Sequence, residues 1–223
     1  MRALLFDVFG TCVDWRTSMM REMERFGLPP RLAEAWRAEY QPQMETVRSG
    51  KRPWVNLDVL HRIGLDIVLA KHGLTRSEAD KRELVKGWHR LDPWPDVVEG
   101  LTKLKETHII APCSNGHIAQ SVNLAKFAKL PWDAILGAEI AGDYKPKPRT
   151  YLASAEAIGR APAHCMMVAA HSKDLAAAAA CGLRTAHTAR PNEYGPNTGE
   201  PGPTVPVDVA ARDLADLADQ LGA

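Results

Sequence analysis

The stretch Leu4-Leu5-Phe6-Asp7-Val8-Phe9-Gly10-Thr11-Cys12-Val13-Asp14 decides the fold of this chain. Its apolar start predicts a buried strand, and that strand ends on Asp7, just before a turn that contains Gly10. In α/β proteins, ligands gather at the carboxyl ends of the parallel strands. An aspartate at that edge is therefore a candidate reactive group. A turn or helix-cap aspartate is the alternative.

Composition narrows the classes of function. The chain has 223 residues, enough for one α/β core with an insertion, and 28 basic against 27 acidic side chains. This balance gives no electrostatic case for a nucleic-acid partner or an anionic membrane surface. No apolar run approaches the roughly 20 residues of a spanning helix, and a strand begins almost at once, which leaves no room for a signal peptide. The four cysteines lack metal-ligand spacing, so we expect reduced thiols in a cytoplasmic protein.

Short β-rich runs alternate with helical patterns along much of the chain. The predicted strands cover residues 3–7, 108–113, 134–140, 165–170 and 184–188. The helices predicted between and after them cover residues 96–104, 117–129, 149–159, 173–181 and 210–221. Such alternation is typical of βαβ units. The predicted fold class is therefore α/β, with a Rossmann-like parallel sheet and right-handed crossovers.

A long segment after the first strand, residues 15–92, has helical patterns throughout. Its predicted helices cover residues 17–27, 31–48, 56–73 and 77–90. An insertion of this size is too long for a loop, so we interpret it as a helical cap domain above the strand ends. The core domain is then formed by residues 1–14 and 93–223. Within it, residues 190–206 are rich in Pro and Gly and predict an irregular surface segment.

Three further groups of polar residues follow predicted strands of the core. Ser114 and Asn115 offer a hydroxyl, an amide and helix N-terminal N–H groups to an anion, although helix capping uses the same geometry. Lys145 is held in the rigid frame Tyr144-Lys145-Pro146-Lys147-Pro148, where an exposed lysine is the alternative. Asp174 begins a predicted helix, where it would otherwise only complement the helix dipole.

In chain order, these motifs resemble those of the haloacid dehalogenase superfamily, and most closely its L-2-haloacid dehalogenase (type II) branch. The pair Trp36-Arg37 and the phrase Leu91-Asp92-Pro93-Trp94-Pro95-Asp96, at the return from the cap, strengthen the resemblance. It implies a hydrolase that acts on carbon–halide bonds. The catalytic residues that we expect are Asp7, Thr11, Arg37, Ser114, Asn115, Lys145, His171 and Asp174.

The resemblance also implies a role for each of these residues. Asp7 is the covalent nucleophile and Thr11 orients it. Arg37 reaches down from the cap and, together with Asn115, cradles the departing halide. Ser114 holds the carboxylate of the substrate. Because its charge is opposite, Lys145 is expected to keep Asp7 ionised in a dry site. Asp174, with Lys145 or His171, is expected to activate the water that hydrolyses the ester.

The expected substrate contacts include residues outside the catalytic set. Tyr151, six residues after Lys145, matches a tyrosine of the branch. The fourth motif departs from better-known members, which commonly have Ser and Asn where this chain has Ala169 and His171. Some relatives that remove fluoride carry a histidine there, which leaves fluoroacetate open as a substrate. The substrate-binding residues that we expect are Val8, Phe9, Arg37, Asn56, Ser114, Asn115 and Tyr151.

Phe9 bears on the reaction type. Phosphatases of the superfamily usually carry a second aspartate two residues after the nucleophile, as the acid for a leaving alcohol, and halide needs no such proton. Magnesium-dependent members also supply two acids in the fourth motif, where this chain has one. We therefore expect no metal and no cofactor, and hydrolytic dehalogenation of short 2-haloacids such as haloacetates and L-2-chloropropionate. An aspartyl ester would form, with inversion at C2.

Two other functions stay open at this point. A magnesium-dependent phosphatase acting on a small phosphate ester is the nearest alternative. A catalytically silent module that binds a carboxylate ligand or a protein through its cap is the other, although such a module has no use for an activated nucleophile. The apolar residues of the cap helices are also compatible with a homodimer.

Overall fold

The computed structural model describes residues 3–223. Within them the strands are β1 (Ala3–Phe6), β2 (Val13–Asp14), β3 (Asp92–Pro93), β4 (Ile109–Ser114), β5 (Leu136–Gly137), β6 (Cys165–Ala169), β7 (Arg184–Thr188) and β8 (Val209–Ala211). The helices are α1 (Trp15–Arg25), α2 (Leu32–Ala38), α3 (Tyr40–Arg48), α4 (Leu57–Lys71), α5 (Glu78–Gly87), α6 (Val97–Thr107), α7 (Ile118–Ala128), α8 (Ala138–Ala141), α9 (Pro148–Ala157), α10 (Ser172–Ala180) and α11 (Leu214–Leu221).

A six-stranded parallel sheet forms the centre of the core, in the order β5-β4-β1-β6-β7-β8. Strand β1 is fully buried between β4 and β6, and Phe6 pairs with Pro112 on one side and Val168 on the other. The residues that follow these three strands therefore meet at one edge of the sheet. This confirms the predicted α/β class with a Rossmann-like parallel sheet.

Five helices, α1–α5, lie between β2 and β3. These two short strands pair antiparallel, and the chain leaves the core through β2 and returns to it through β3. Two hydrogen bonds join this helical part to the loop before α9: Arg48 Nη1 donates to the Lys145 carbonyl (2.7 Å), and the Tyr144 hydroxyl donates to the Val55 carbonyl (2.8 Å). The arrangement is the predicted cap over the strand ends. The boundaries 1–14, 15–92 and 93–223 stay a prediction, and residues 1 and 2 lie outside the described part.

Several predicted elements differ from the structure in their limits. The helix predicted over 31–48 is two helices that meet at Glu39. The strand predicted over 134–140 is only β5, because Gly137 takes a φ of 114° and α8 follows at once. The helix predicted over 210–221 begins at Leu214, after the short strand β8. Short apolar runs satisfy both periods, which is why the sequence pattern did not separate them.

Among residues 3–223, no helix combines the length and the apolar character needed to cross a membrane.

Candidate active site

Asp7 directly follows β1, and its buried carboxylate accepts three hydrogen bonds. Lys145 Nζ donates to Oδ1 (2.8 Å), while the Thr11 hydroxyl donates to Oδ2 (2.8 Å). The Nδ1 of His171 lies 3.1 Å from the same Oδ2. Only 7% of Asp7 is exposed. Oδ2 thus has two donors, whereas Oδ1 has one and keeps a lone pair free.

The turn after Asp7 explains why the local sequence has this form. The Val8 carbonyl accepts the Cys12 N–H (2.9 Å), which closes the turn and brings Thr11 back under Asp7. Besides donating to Asp7, the Thr11 hydroxyl accepts the Ala170 N–H (2.9 Å), so it ties the ends of β1 and β6 together. Both bonds need a hydroxyl at position 11. The placement agrees with the orienting role that was expected of this residue.

Lys145 lies between two carboxylates. Its Nζ donates to Asp7 Oδ1 and also to Asp174 Oδ2 (2.5 Å), and only 6% of the residue is exposed. The hydroxyl of Tyr151 donates to the other oxygen of Asp174 (2.5 Å). Tyr151 is fully buried and therefore positions Asp174 in this structure. The sequence motifs around Lys145 and Asp174 do converge on Asp7.

On the opposite side of Asp7, the ring of His171 connects two acidic groups. Its Nδ1 faces Asp7, and its Nε2 lies 2.8 Å from Glu193 Oε2. Sequence reasoning missed Glu193, because residues 190–206 were expected to form a surface segment. That expectation is wrong for Arg190 and Glu193, which are 7% and 1% exposed. The segment is irregular, as predicted, but part of it packs against the site.

Charge explains how these groups stay ionised. Burial alone would raise the pKa of Asp7, but the Lys145 and His171 charges outweigh it and hold that pKa well below its usual range. Burial would likewise lower the pKa of Lys145, yet Asp174 and Asp7 raise it. For His171, hydrogen bonds with Asp7 and Glu193 overcome burial and raise the pKa to about 10. At neutral pH, Asp7 is therefore a carboxylate between two cations.

Ser114 and Asn115 come from the end of β4 and its following loop, as the sequence predicted. The Ser114 hydroxyl accepts the Gly116 N–H (3.1 Å), which leaves its own proton free to donate. The Asn115 carboxamide oxygen accepts the Lys145 N–H (2.8 Å). The Asn115 side chain also interacts with Tyr40, whose pKa is raised by burial against the opposing effects of Arg37 and Asn115. Tyr40 is a second site residue that sequence reasoning missed.

Arg37 lies in the cap part, over two aromatic rings. Its guanidinium carbon is 4.0 Å from the centroid of the Tyr40 ring and 5.3 Å from that of Trp15. Within residues 3–223 it forms no ion pair with a carboxylate. It lines a cleft of about 400 Å³ whose walls are Trp15, Glu34, Arg37, Ala38, Tyr40, Gln41 and Tyr194. Tyr40 contacts both Arg37 and Asn115, and so connects the cleft to the group around Asp7.

The remaining predicted contacts are placed as follows. Val8 and Phe9 are buried in the turn after β1, where the Phe9 ring packs edge-on to Trp88 at 6.4 Å. Asn56 caps α4, since its side-chain oxygen accepts the Val59 N–H (3.2 Å). The structure shows no contact between Asn56 and the group around Asp7. Its predicted role in the substrate pocket stays a prediction.

The donor set does not suit a magnesium ion. That ion prefers near-octahedral oxygen ligands at about 2.0–2.1 Å, several of them water. Here the Lys145 ammonium group occupies the position between Asp7 and Asp174, and Thr11 and His171 use the other Asp7 oxygen. The positive charge that a metal would bring is supplied by side chains.

A second polar cluster lies where the cap meets α7. His89 Nε2 is 2.9 Å from Asp58 Oδ1, and His89 Nδ1 is 3.0 Å from Asn123 Nδ2. His117 Nε2 is 3.6 Å from Asp58 Oδ2. These three groups could hold a metal ion by distance. However, both ring nitrogens of His89 already have protein partners, so we interpret the cluster as a link between cap and core.

Comparisons with known proteins identify the family of this chain. A profile of the haloacid dehalogenase-like hydrolases matches residues 1–182. The (S)-2-haloacid dehalogenase 4A of Burkholderia cepacia is 29% identical over 201 residues, which are 87% of each chain. The structure superposes on the defluorinating L-2-haloacid dehalogenase Rha0230 with a TM-score of 0.96 and 45% identity, over 100% of this chain and 96% of that one. A second L-2-haloacid dehalogenase structure gives a TM-score of 0.95 and 44% identity, over 99% of both chains. The chain therefore belongs to the haloacid dehalogenase-like hydrolases, in their L-2-haloacid dehalogenase branch.

Proposed function

We propose that this protein hydrolyses short 2-haloacids to 2-hydroxy acids through an ester on Asp7, with inversion at C2. The observation that carries the proposal is the Asp7 carboxylate, which is buried, kept ionised by two cations and left with a free lone pair on Oδ1. A desolvated, aligned carboxylate is a competent nucleophile, whereas a hydrated one is weak. Phe9, where a phosphatase would carry an acid, suits a leaving group that needs no proton.

In the first step, Oδ1 of Asp7 attacks C2 of the substrate from the side opposite the halogen. A C–O bond forms, the carbon–halogen bond breaks, and halide leaves with the electron pair. Ser114 is the donor we assign to the carboxylate of the substrate. Lys145 stays against Oδ1 and Asp174, and so stabilises the bound arrangement. Backside attack inverts C2.

Halide departs toward the cap in this scheme. Arg37 is a cation without a carboxylate partner within residues 3–223, and the aromatic faces of Trp15 and Tyr40 hold it in place. The Asn115 carboxamide is joined to Tyr40 at the base of the same region. Donors positioned where charge develops usually supply the largest share of catalysis, and one such donor contributes about 3 kcal/mol. Arg37 and Asn115 are the residues we assign to that role.

In the second step, water attacks the carbonyl carbon of the Asp7 ester. Asp174 accepts a proton from that water, and the Cγ–Oδ1 bond then breaks. Lys145, beside Oδ1, protonates the departing alkoxide and recovers a proton from Asp174 across their 2.5 Å contact. The former Oδ1 leaves as the product hydroxyl, and the oxygen of water takes its place on Asp7. The second proton of that water is released to solvent, which restores the Asp7 carboxylate. C2 is untouched in this step, so net inversion results.

The substrates we propose are haloacetates and L-2-chloropropionate. Fluoroacetate joins them because a defluorinating enzyme is 45% identical to this chain. The test is halide release from chloroacetate, fluoroacetate and both enantiomers of 2-chloropropionate, in EDTA, by wild type and Asp7→Asn. We expect halide release by wild type alone. Of the two 2-chloropropionate enantiomers, only the L form should release halide. Magnesium-dependent phosphate release from phosphate esters, with no halide from any haloacid, would instead establish a phosphatase.

We also infer a cytoplasmic location and a homodimer. All four cysteines are unpaired, as in a reducing compartment. In the cap, Val59 and Ile67 are large apolar side chains of α4 that are 42% and 39% exposed. Light scattering after gel filtration tests the dimer. A mass near 24.5 kDa at micromolar concentration would exclude it.

A further inference from the structure

Glu193 reaches from an irregular segment into the site without touching Asp7. Its Oε2 lies 2.8 Å from His171 Nε2, and its Oε1 accepts the Trp15 Nε1–H (3.1 Å). The other ring nitrogen of His171 faces Asp7 Oδ2 at 3.1 Å. Glu193, the imidazole of His171 and Asp7 thus lie in a row. The carboxyl group of Asp7 is the one that becomes the ester.

The packing around Glu193 fixes the position of its side chain. The residue is 1% exposed and lies in a segment without regular structure. It approaches the turn after β1 so closely that a Cβ at Gly10 would lie 2.1 Å from Glu193 Oε1. Gly10 also has a φ of 90°, which only glycine adopts readily. Burying a carboxylate is unfavourable unless it is paired, and His171 is the partner that the structure supplies.

We propose that Glu193 is a positioning residue that holds His171 as a cation, so that its Nδ1–H stabilises the oxyanion formed on Asp7 Oδ2 during ester hydrolysis. This inference rests on the proposed function. Because Oδ1 forms the bond to C2, Oδ2 becomes the carbonyl oxygen of the ester. The Thr11 hydroxyl and the imidazolium already point at that oxygen, and together they form an oxyanion hole.

When water attacks Cγ of the ester, the electron pair of the Cγ–Oδ2 double bond moves onto Oδ2. The Thr11 O–H and His171 Nδ1–H bonds to Oδ2 then become charge-assisted and stronger. Collapse returns the pair to Cγ and expels Oδ1 with the product. His171 neither gains nor loses a proton over the step.

A base role for His171 fits the same geometry poorly. A base needs a ring nitrogen with a free lone pair, but Asp7 and Glu193 face both nitrogens and favour the protonated ring. The pKa of about 10 is consistent with this. Asp7 loses its charge when the ester forms, and Glu193 is then the acid that still keeps the ring protonated. The charged groups that face the ring are Asp7 and Glu193. Behind them, Lys145 bonds Asp7 and Asp174, and Tyr194 bonds Glu193. The His171 charge also acts on His187, whose other charged neighbour is Glu200.

Single-turnover kinetics of Glu193→Gln with L-2-chloropropionate tests the proposal. Halide release reports ester formation, and mass spectrometry of quenched enzyme reports ester decay. We expect halide release within about threefold of wild type and ester decay slower by about 10- to 100-fold, because one donor loses its charge. Glu193→Asp, which keeps the charge, should restore part of the decay rate. Equal slowing of both steps, or no slowing, would overturn the proposal.

Two further measurements complete the design. Ester decay in wild type should fall as pH rises through the pKa of His171 in the ester, which lies below the value of about 10 beside the charged Asp7 carboxylate. In Glu193→Gln this fall should begin at least one pH unit lower still. A rate that increases with pH through the His171 titration would mean that the ring is a base. Glu200→Gln is the matched control: Glu200 belongs to the same segment but bonds the Ser172 N–H (3.0 Å) and not the ring. It should leave ester decay within about twofold.

The NMR titration of His171 needs no substrate. We expect its pKa to fall markedly in Glu193→Gln and to stay raised in Glu193→Asp. If wild type releases no halide from any haloacid, the proposed function fails. The titration still measures how far Glu193 raises the pKa of His171. An unchanged His171 titration in Glu193→Gln would show that Glu193 does not hold the cation, whatever the substrate.

Discussion

Lys145 in the core and Arg37 in the cap are both cations near the site, yet their surroundings are opposite. Lys145 is 6% exposed and donates to two carboxylates, at 2.8 and 2.5 Å. Arg37 packs on the rings of Tyr40 and Trp15 and, within residues 3–223, pairs with no acid. The core cation neutralises charge that is already present. Arg37 in the cap is therefore available to bind negative charge that arrives with the substrate or develops as halide leaves.

The largest effect should follow from removing the core cation. In Lys145→Met, Asp7 and Asp174 face each other without the ammonium group between them, and breaking a buried pair typically costs 3–5 kcal/mol. We expect halide release to fall by about 10³-fold and Tm to decrease. Lys147→Met is the control, since Lys147 is exposed two residues away. Activity near that of wild type in Lys145→Met would refute the pairing role.

Removing the cap cation should separate activity from stability. In Arg37→Met no ion pair is lost among the described residues, so we expect Tm to stay within about 2 °C. Halide release should nevertheless fall by about 10²-fold, because one donor for the departing charge is gone. Arg31→Met, an exposed arginine of the same region, is the control. A large fall in Tm would show that Arg37 is structural, which would remove the contrast with Lys145.

Stability against pH sharpens the comparison for the second core cation. The folded pKa of His171, about 10, lies above the ordinary value of 6.5. Its contribution to stability is therefore complete below about pH 6.5 and disappears as pH rises through about 10. In this window the free energy of unfolding should fall by up to about 1.4 kcal/mol per pH unit for one such group. Urea unfolding across pH 6–10 measures it, and His171→Asn should flatten the curve.

The smallest effect concerns Asn56. Its side-chain oxygen caps α4 through the Val59 N–H, so Asn56→Ala should destabilise the protein by about 1 kcal/mol. Urea unfolding gives this value, and steady-state kinetics on L-2-chloropropionate gives KM. An increase of KM beyond about threefold would support the substrate contact predicted from the sequence. An unchanged KM would leave Asn56 as a helix cap.

Much of the site could be predicted from local sequence, because each motif follows an element whose position the pattern indicates. Asp7, Ser114 and Asp174 come near the ends of strands in one parallel sheet, so their approach follows from topology. Lys145 stands in a proline frame, and its contacts with Asp7 and Asp174 agree with the predicted arrangement. Limits of short elements were predicted less well, as β5 shows, since one glycine ended the strand.

What the sequence by itself determined is the α/β class, the helical insertion and the group of residues at the strand ends. Periodicity marks the elements through local interactions, and the topology of a parallel sheet then brings the ends of its strands together. Only the tertiary structure decided that Glu193 lies behind His171 and that Tyr40 joins Arg37 to Asn115. An irregular segment has no period that marks its buried side. Its contacts depend on how it packs against elements that are distant in the chain, here 22 residues from His171 and 178 from Trp15.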